Sequence, residues 1–113
     1  MRSWALVVTR NAVLVPEIEE ACRLAGLSPR RAPDLPRARV LCPPEDPPAA
    51  VITDPASCGE EAFAVIDSFA HQALAVILQS EDRPEDAARA ERMGAWAVRP
   101  EEPPVRLPAL GGG

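Results

Sequence analysis

The chain has 113 residues, 47% hydrophobic and 26% charged, with a formal net charge of −5, which fits one small domain with a single core. That balance excludes the basic stripe needed to displace counterions from nucleic acid, and no apolar stretch approaches a membrane span. All twelve basic residues are arginine and fourteen residues are proline, a composition that points to a GC-rich bacterial source.

The elements follow in chain order. "WALVV" (4–8) is short, rich in β-formers and continuously apolar, as expected for a strand covered on both faces of a parallel sheet. "PEIEEACRLAGL" (16–27) is predicted helical, with Ile18, Ala21, Cys22 and Ala25 on one face. Pro16 suits its first turn, the glutamates suit its positive end, and Gly26 stops it. Residues 28–48 hold seven prolines, which forbid a long helix. A short edge strand near 29–33, at most one helical turn near 35–41 and then a loop are expected. "AAVIT" (49–53) is a second buried strand. Ser57 and Glu60 then form a predicted capping box for a helix over 60–72, whose stripe is Ala62, Phe63, Ile66, Phe69 and Ala70. "ALAVILQ" (73–79) is the third buried strand. Asp82 and Glu85 repeat the capping pattern for a helix over 81–94, and "AWAVR" (95–99) is the last core strand. The tail over 101–113, rich in proline and glycine, reads as a linker after a domain spanning 1–100.

Strand and helix alternate with short connections, so the fold class is α/β with an open parallel sheet of four or five strands flanked by helices. In such sheets the working site lies at the carboxyl ends of the strands. Here that edge gathers Thr9, Arg10, Asp54, Ser80 and Arg99. Three cysteines, Cys22, Cys42 and Cys58, and one histidine, His71, form no ligand set at zinc spacing. They are expected as free thiols in a reducing cytoplasm. Cys58 and His71 lie at opposite ends of one helix, which excludes a Cys–His nucleophile within it. The first strand–helix loop, "TRNAVLV", has no glycine to let the backbone approach a pyrophosphate, and no phosphate-binding glycine motif occurs elsewhere. No secretory leader is read in "MRSWALVVTR", and a cytoplasmic location is expected.

Three stretches carry a family resemblance. "VITD", "VILQS" and "RMGAWAVRP" resemble the receiver domain of bacterial response regulators. The resemblance spans most of residues 4–100 and implies a CheY-like, or flavodoxin-like, sheet in a two-component signalling protein. It maps the phospho-accepting aspartate to Asp54, the hydroxyl that contacts the phosphoryl group to Ser80, the conserved lysine to Arg99, and the aromatic switch to the neighbourhood of Trp96. The departures carry the functional reading. Where the family places an acidic pair to hold Mg²⁺, this chain has Thr9 and Arg10. Mg²⁺ wants near-octahedral oxygen ligands, and phosphoryl transfer needs its charge. The second crossover helix is broken by prolines and the closing helix is nearly absent.

Three readings of Asp54 stand on the sequence. It caps a turn at Pro55, or it pairs permanently with Arg10 or Arg99 in place of a cation, or it accepts phosphate through a rearranged site using Glu60 or Asp82. The resemblance together with its departures implies a degenerate receiver that is not an enzyme, needs no metal or cofactor, and works through protein contacts. The expected contact face is 83–99 with Trp96 as anchor, engaging a partner or a second copy. A C-terminal effector domain is a further expected partner; nucleic acid and membrane are not.

Overall fold

The computed structural model describes residues 3–79 and 82–98. The elements run β1 (Trp4–Val8), α1 (Val15–Leu24), β2 (Ser28–Ala32), α2 (Leu35–Val40), β3 (Ala50–Thr53), α3 (Pro55–Cys58), α4 (Glu60–Phe69), β4 (Leu74–Leu78), α5 (Pro84–Arg92) and β5 (Trp96–Val98). The five strands form one parallel sheet in the order β2-β1-β3-β4-β5. From β1 the chain steps outward to β2, then returns to the other side of β1 as β3. The strand order therefore reverses between β1 and β3, where open α/β sheets form their crevice.

Both faces of the inner strands β1, β3 and β4 are covered, which is why these three are apolar almost throughout. Ala5, Val7, Ala50, Ile52, Val76 and Leu78 pack with Ile18, Ala21 and Cys22 of α1. The alternate residues Trp4, Leu6, Val8 and Val51 pack against Ala38 of α2, Cys58 of α3, and Ala62, Val65 and Phe69 of α4. Farther along that face, Phe63 and Ile66 meet Ala75, Ile77 and Ala90. The period of two along each strand thus sorts one continuous apolar run into two cores.

Proline placement explains the sheet's outer edge. Ser28 N–H donates to the Ser3 carbonyl and the Ala32 carbonyl accepts from Thr9 N–H, so the even-numbered residues of β2 turn their backbone groups inward. Pro29 sits at an outward position, where a missing donor breaks no ladder bond. The end of α1 is set equally locally. Leu27 N–H reaches the Cys22 carbonyl at 2.8 Å and Gly26 N–H the Arg23 carbonyl at 3.0 Å, with Gly26 at φ +80°, the paired bonds of a Schellman stop. Ala25 is therefore the exposed C-cap and not part of the buried stripe.

Three local expectations are corrected. Ser57 does not cap the helix over 60–72. The chain forms one short helix from Pro55, breaks at Gly59 with φ 62° and ψ −140°, and starts α4 at Glu60 without a side-chain cap. Ser57 lies inside α3 instead. Asp82 and Glu85 do not frame a capping box either, because Arg83 is the N-cap of α5 and no side chain caps it; Arg83 Nε meets Asp86 at 2.7 Å. Ala70 lies past the end of α4 and is only partly buried. The tail and the place of a closing helix lie outside the described residues. Among the described residues no helix is long and apolar enough to cross a membrane.

Candidate functional site at the carboxyl edge

Val8 of β1 and Thr53 of β3 are register partners, so the residues that follow them, Thr9 and Asp54, meet where the strand order reverses. Asp54 is 2% exposed and Thr9 is fully buried. Asp54 Oδ1 accepts the Ala56 N–H at 3.0 Å, which makes Asp54 the N-cap of α3 with Pro55 at the first helical position. Asp54 Oδ2 lies 3.5 Å from Thr9 Oγ1, long for an O–H···O bond and therefore weak. Thr9 Oγ1 also accepts Asn11 N–H at 3.1 Å and lies 3.3 Å from Ser57 Oγ. Ser57 Oγ accepts Arg10 N–H at 3.1 Å. With one proton per hydroxyl, every group is served when Ser57 donates to Thr9 and Thr9 donates to Asp54. The two loops are thereby stitched together through side chains.

Arg10 does not pair with Asp54. Its Nη2 reaches Glu61 Oε1 at 2.9 Å and its Nε donates to the Pro33 carbonyl at 3.1 Å. The guanidinium spans from the β2–α2 loop to α4, because fork-shaped donors favour a carboxylate and a carbonyl they can reach together. Among the described residues no cation touches Asp54. Ser80 and Arg99, the other residues assigned to this edge, lie outside the described residues. Trp96 opens β5, the outermost strand, in register with Val76 of β4, and is 56% exposed. Of the predicted site residues, the structure brings together Asp54, Thr9 and the backbone of Arg10.

Ser57 and Glu61 complete this cluster and were not foreseen. The Asp-Pro pair at 54–55 was the available signal for Ser57, since Asp at an N-cap followed by Pro starts a helix there and not three residues later. No local signal marks Glu61, whose contact with Arg10 is tertiary.

Among the described residues, the donor set at this edge does not fit Mg²⁺. Asp54 is the carboxylate at the switch point, flanked by a threonine and an arginine. Glu60, one of the two substitute carboxylates considered above (the other is Asp82), faces α5, with Oε1 2.7 Å from Arg89 Nη1. That hydrogen bond holds the Glu60 carboxyl below its ordinary value, with the Arg89 and Arg83 charges adding to it. Among the described residues no three His, Cys, Asp or Glu side chains converge on a possible metal position. Cys58 is buried beneath the site with Sγ 3.8 Å from the Val8 carbonyl, a packing thiol with no access for a substrate.

No known family model matches the chain, and no curated protein matches it. Solved structures similar to this chain include two receiver proteins. One is a response regulator receiver protein from Burkholderia phymatum, at TM-score 0.68 and 19% identity over 85% of this chain and 80% of that one. The other is the chemotaxis response regulator CheY4 of Vibrio cholerae, at TM-score 0.64 and 17% identity over 89% of this chain and 92% of that one. At such identity the likeness is one of fold. With its five-stranded parallel sheet in the order 2-1-3-4-5 and its buried aspartate at the switch point, this chain has the fold of a response-regulator receiver domain.

Proposed function

We propose that this chain is a receiver-like signalling module that works by protein contact, without phosphotransfer and without enzymatic activity. The receiver-like fold supports a signalling role. The observation that carries the finer reading is the pair Thr9 and Arg10 beside Asp54: one hydroxyl donor and one cation committed to Glu61 stand where a divalent cation would need carboxylate oxygens. A phosphoryl group arriving at Asp54 would bring a second anion into a buried site where, among the described residues, no cation touches the aspartate.

The contact face of this reading is 83–99. Its exposed residues include the charged Arg83, Glu85, Glu91 and Arg92 beside the uncharged Pro84, Ala88 and Gly94, and Trp96 is its one large exposed hydrophobic among the described residues. A half-exposed tryptophan in a charged frame suits the anchor of an interface with a protein partner or a second copy. The setting is a bacterial cytoplasm, with an effector domain as a further partner. Amide spectra of ¹⁵N-labelled protein test the metal side of the proposal. MgCl₂ in the millimolar range is expected to leave the Thr9, Arg10 and Asp54 amides unmoved, whereas saturable shifts confined to them would overturn it.

One observation favours a second reading, an active receiver phosphorylated on Asp54 through a rearranged metal site. The Asp54 carboxylate is buried yet accepts one short hydrogen bond and one long one, and buried charge is costly without a partner. The same titration separates the two readings.

A further inference from the structure

A cleft of about 550 Å³ opens at the edge of the sheet opposite Asp54. Residues 41–49 lead into β3 and residues 70–73 lead into β4, so the cleft sits at the amino ends of those strands, between the ends of α2 and α4. Its walls are Pro43, Pro44 and Pro47 on the loop and Phe69 on α4; its polar groups come from Arg39, Ser68 and Gln72, with Cys42 beside them. The volume falls in the range of small-ligand sites.

Two properties make this more than a gap between loops. The proline wall is pinned. Trp4 Nε1–H donates to the Asp46 carbonyl at 3.0 Å, and Arg30 meets the Asp46 carboxylate at 3.6 Å while stacking on Trp4, 4.2 Å from the ring centroid. Prolines have no φ freedom to lose and little side-chain entropy, so a ligand would meet a surface already ordered. The charge is also distinctive. In a chain of net charge −5, the lining holds, among the described residues, one cation, two neutral polar groups and no carboxylate. Arg39 is exposed and makes no ion pair among the described residues, unlike Arg10, Arg30, Arg37 and Arg89.

We propose that this cleft binds a small organic anion with a flat apolar body. The anionic group meets Arg39, Ser68 and Gln72 offer hydrogen bonds, and the proline and Phe69 walls take the apolar part. The site is separate from the carboxyl edge and does not depend on the state of Asp54.

The test uses three probes on the ¹⁵N-labelled full chain: phenylacetate, phenyl phosphate and benzyl alcohol. Phenylacetate or phenyl phosphate is expected to give saturable shifts at the Arg39, Ser68 and Gln72 amides, and whichever binds tighter distinguishes a carboxylate from a phosphate ligand. Benzyl alcohol, and either anion with Arg39→Gln, is expected to bind about tenfold more weakly, as befits the loss of one charge-assisted hydrogen bond. Alkylation of Cys42 by iodoacetamide gives a second readout and slows when the cleft is filled. Absence of saturable shifts at those amides for both anions overturns the proposal, and so does an affinity unchanged by Arg39→Gln.

Discussion

Replacing Asp54 separates a capping residue from a buried ion pair, because the two roles differ in magnitude. In the structure the carboxylate contributes one good hydrogen bond, to Ala56 N–H, and one long contact, to Thr9. Loss of an N-cap costs about 0.5–2 kcal/mol. Thr9 keeps its bonds to Asn11 N–H and Ser57 after the change, so its hydroxyl is not orphaned. Asp54→Ala is therefore expected to destabilise by about 1–2 kcal/mol, or roughly 4–8 °C in Tm for a domain of this size. Asp54→Asn retains an oxygen for Ala56 N–H, and asparagine is an equally good cap, so its loss stays below about 1 kcal/mol. A charge held by a cation behaves differently: removing one partner of a buried pair costs about 3–5 kcal/mol, and asparagine does not replace it. Urea unfolding of the three proteins, with m-values compared, decides between them. If Asp54→Asn loses 3 kcal/mol or more, the capping account is wrong and a cation, Arg99 foremost, holds the aspartate.

Three other outcomes follow from particular atoms. Thr53 Oγ1 is buried with no hydrogen-bond partner among the described residues, so Thr53→Val is expected to raise stability by about 1 kcal/mol by removing an unserved hydroxyl; a lower Tm would show that this oxygen is satisfied. Arg89 holds Glu60 below its ordinary 4.5, chiefly by its hydrogen bond. The contact therefore stabilises the fold above that value, and its contribution fades as pH falls through the depressed one. An NMR titration of Glu60 is expected to move back up toward 4.5 in Arg89→Gln, and an unmoved midpoint contradicts the pairing. Burial, with the Glu19 charge adding to it, pushes the Cys22 thiol up to about 11 from 9.0. Its contribution is complete below pH 9 and is lost as pH rises from about 9 to about 11. Cys22→Ala should flatten that alkaline fall, and iodoacetamide at neutral pH should label half-buried Cys42 before buried Cys22 or Cys58.

Much of this fold was legible because the governing signals are local. Continuous apolar runs announced strands with two covered faces, and the prolines of 28–48 announced an edge strand near 29–33. The meeting of Thr9 and Asp54 was also legible, since adjacent parallel strands bring their carboxyl ends together whatever the side chains. What failed was local in appearance and tertiary in cause. Ser57 carries the pattern of a capping box, yet Gly59 at positive φ breaks the chain after it, and its hydroxyl is taken by Arg10 N–H and Thr9 from another loop. Arg10 carries its guanidinium on a long, flexible side chain, and only the packing of α4 beside the β2–α2 loop selects Glu61 over Asp54. The Thr53 hydroxyl, without a partner among the described residues, has no sequence signature, because threonine is an ordinary strand residue. Spacing locates a strand end well, but which donor its side chain meets depends on the elements packed around it.

On the proposed reading Asp54 is a structural residue without a usable metal beside it. Intact mass after incubation with acetyl phosphate, with and without Mg²⁺ and alongside Asp54→Asn, tests this most directly. The expected result is no mass gain in any sample, leaving protein contact as the mode of action. A Mg²⁺-dependent gain of one phosphoryl group, absent in Asp54→Asn, would contradict the account and establish that Thr9 and Arg10 do not silence the site.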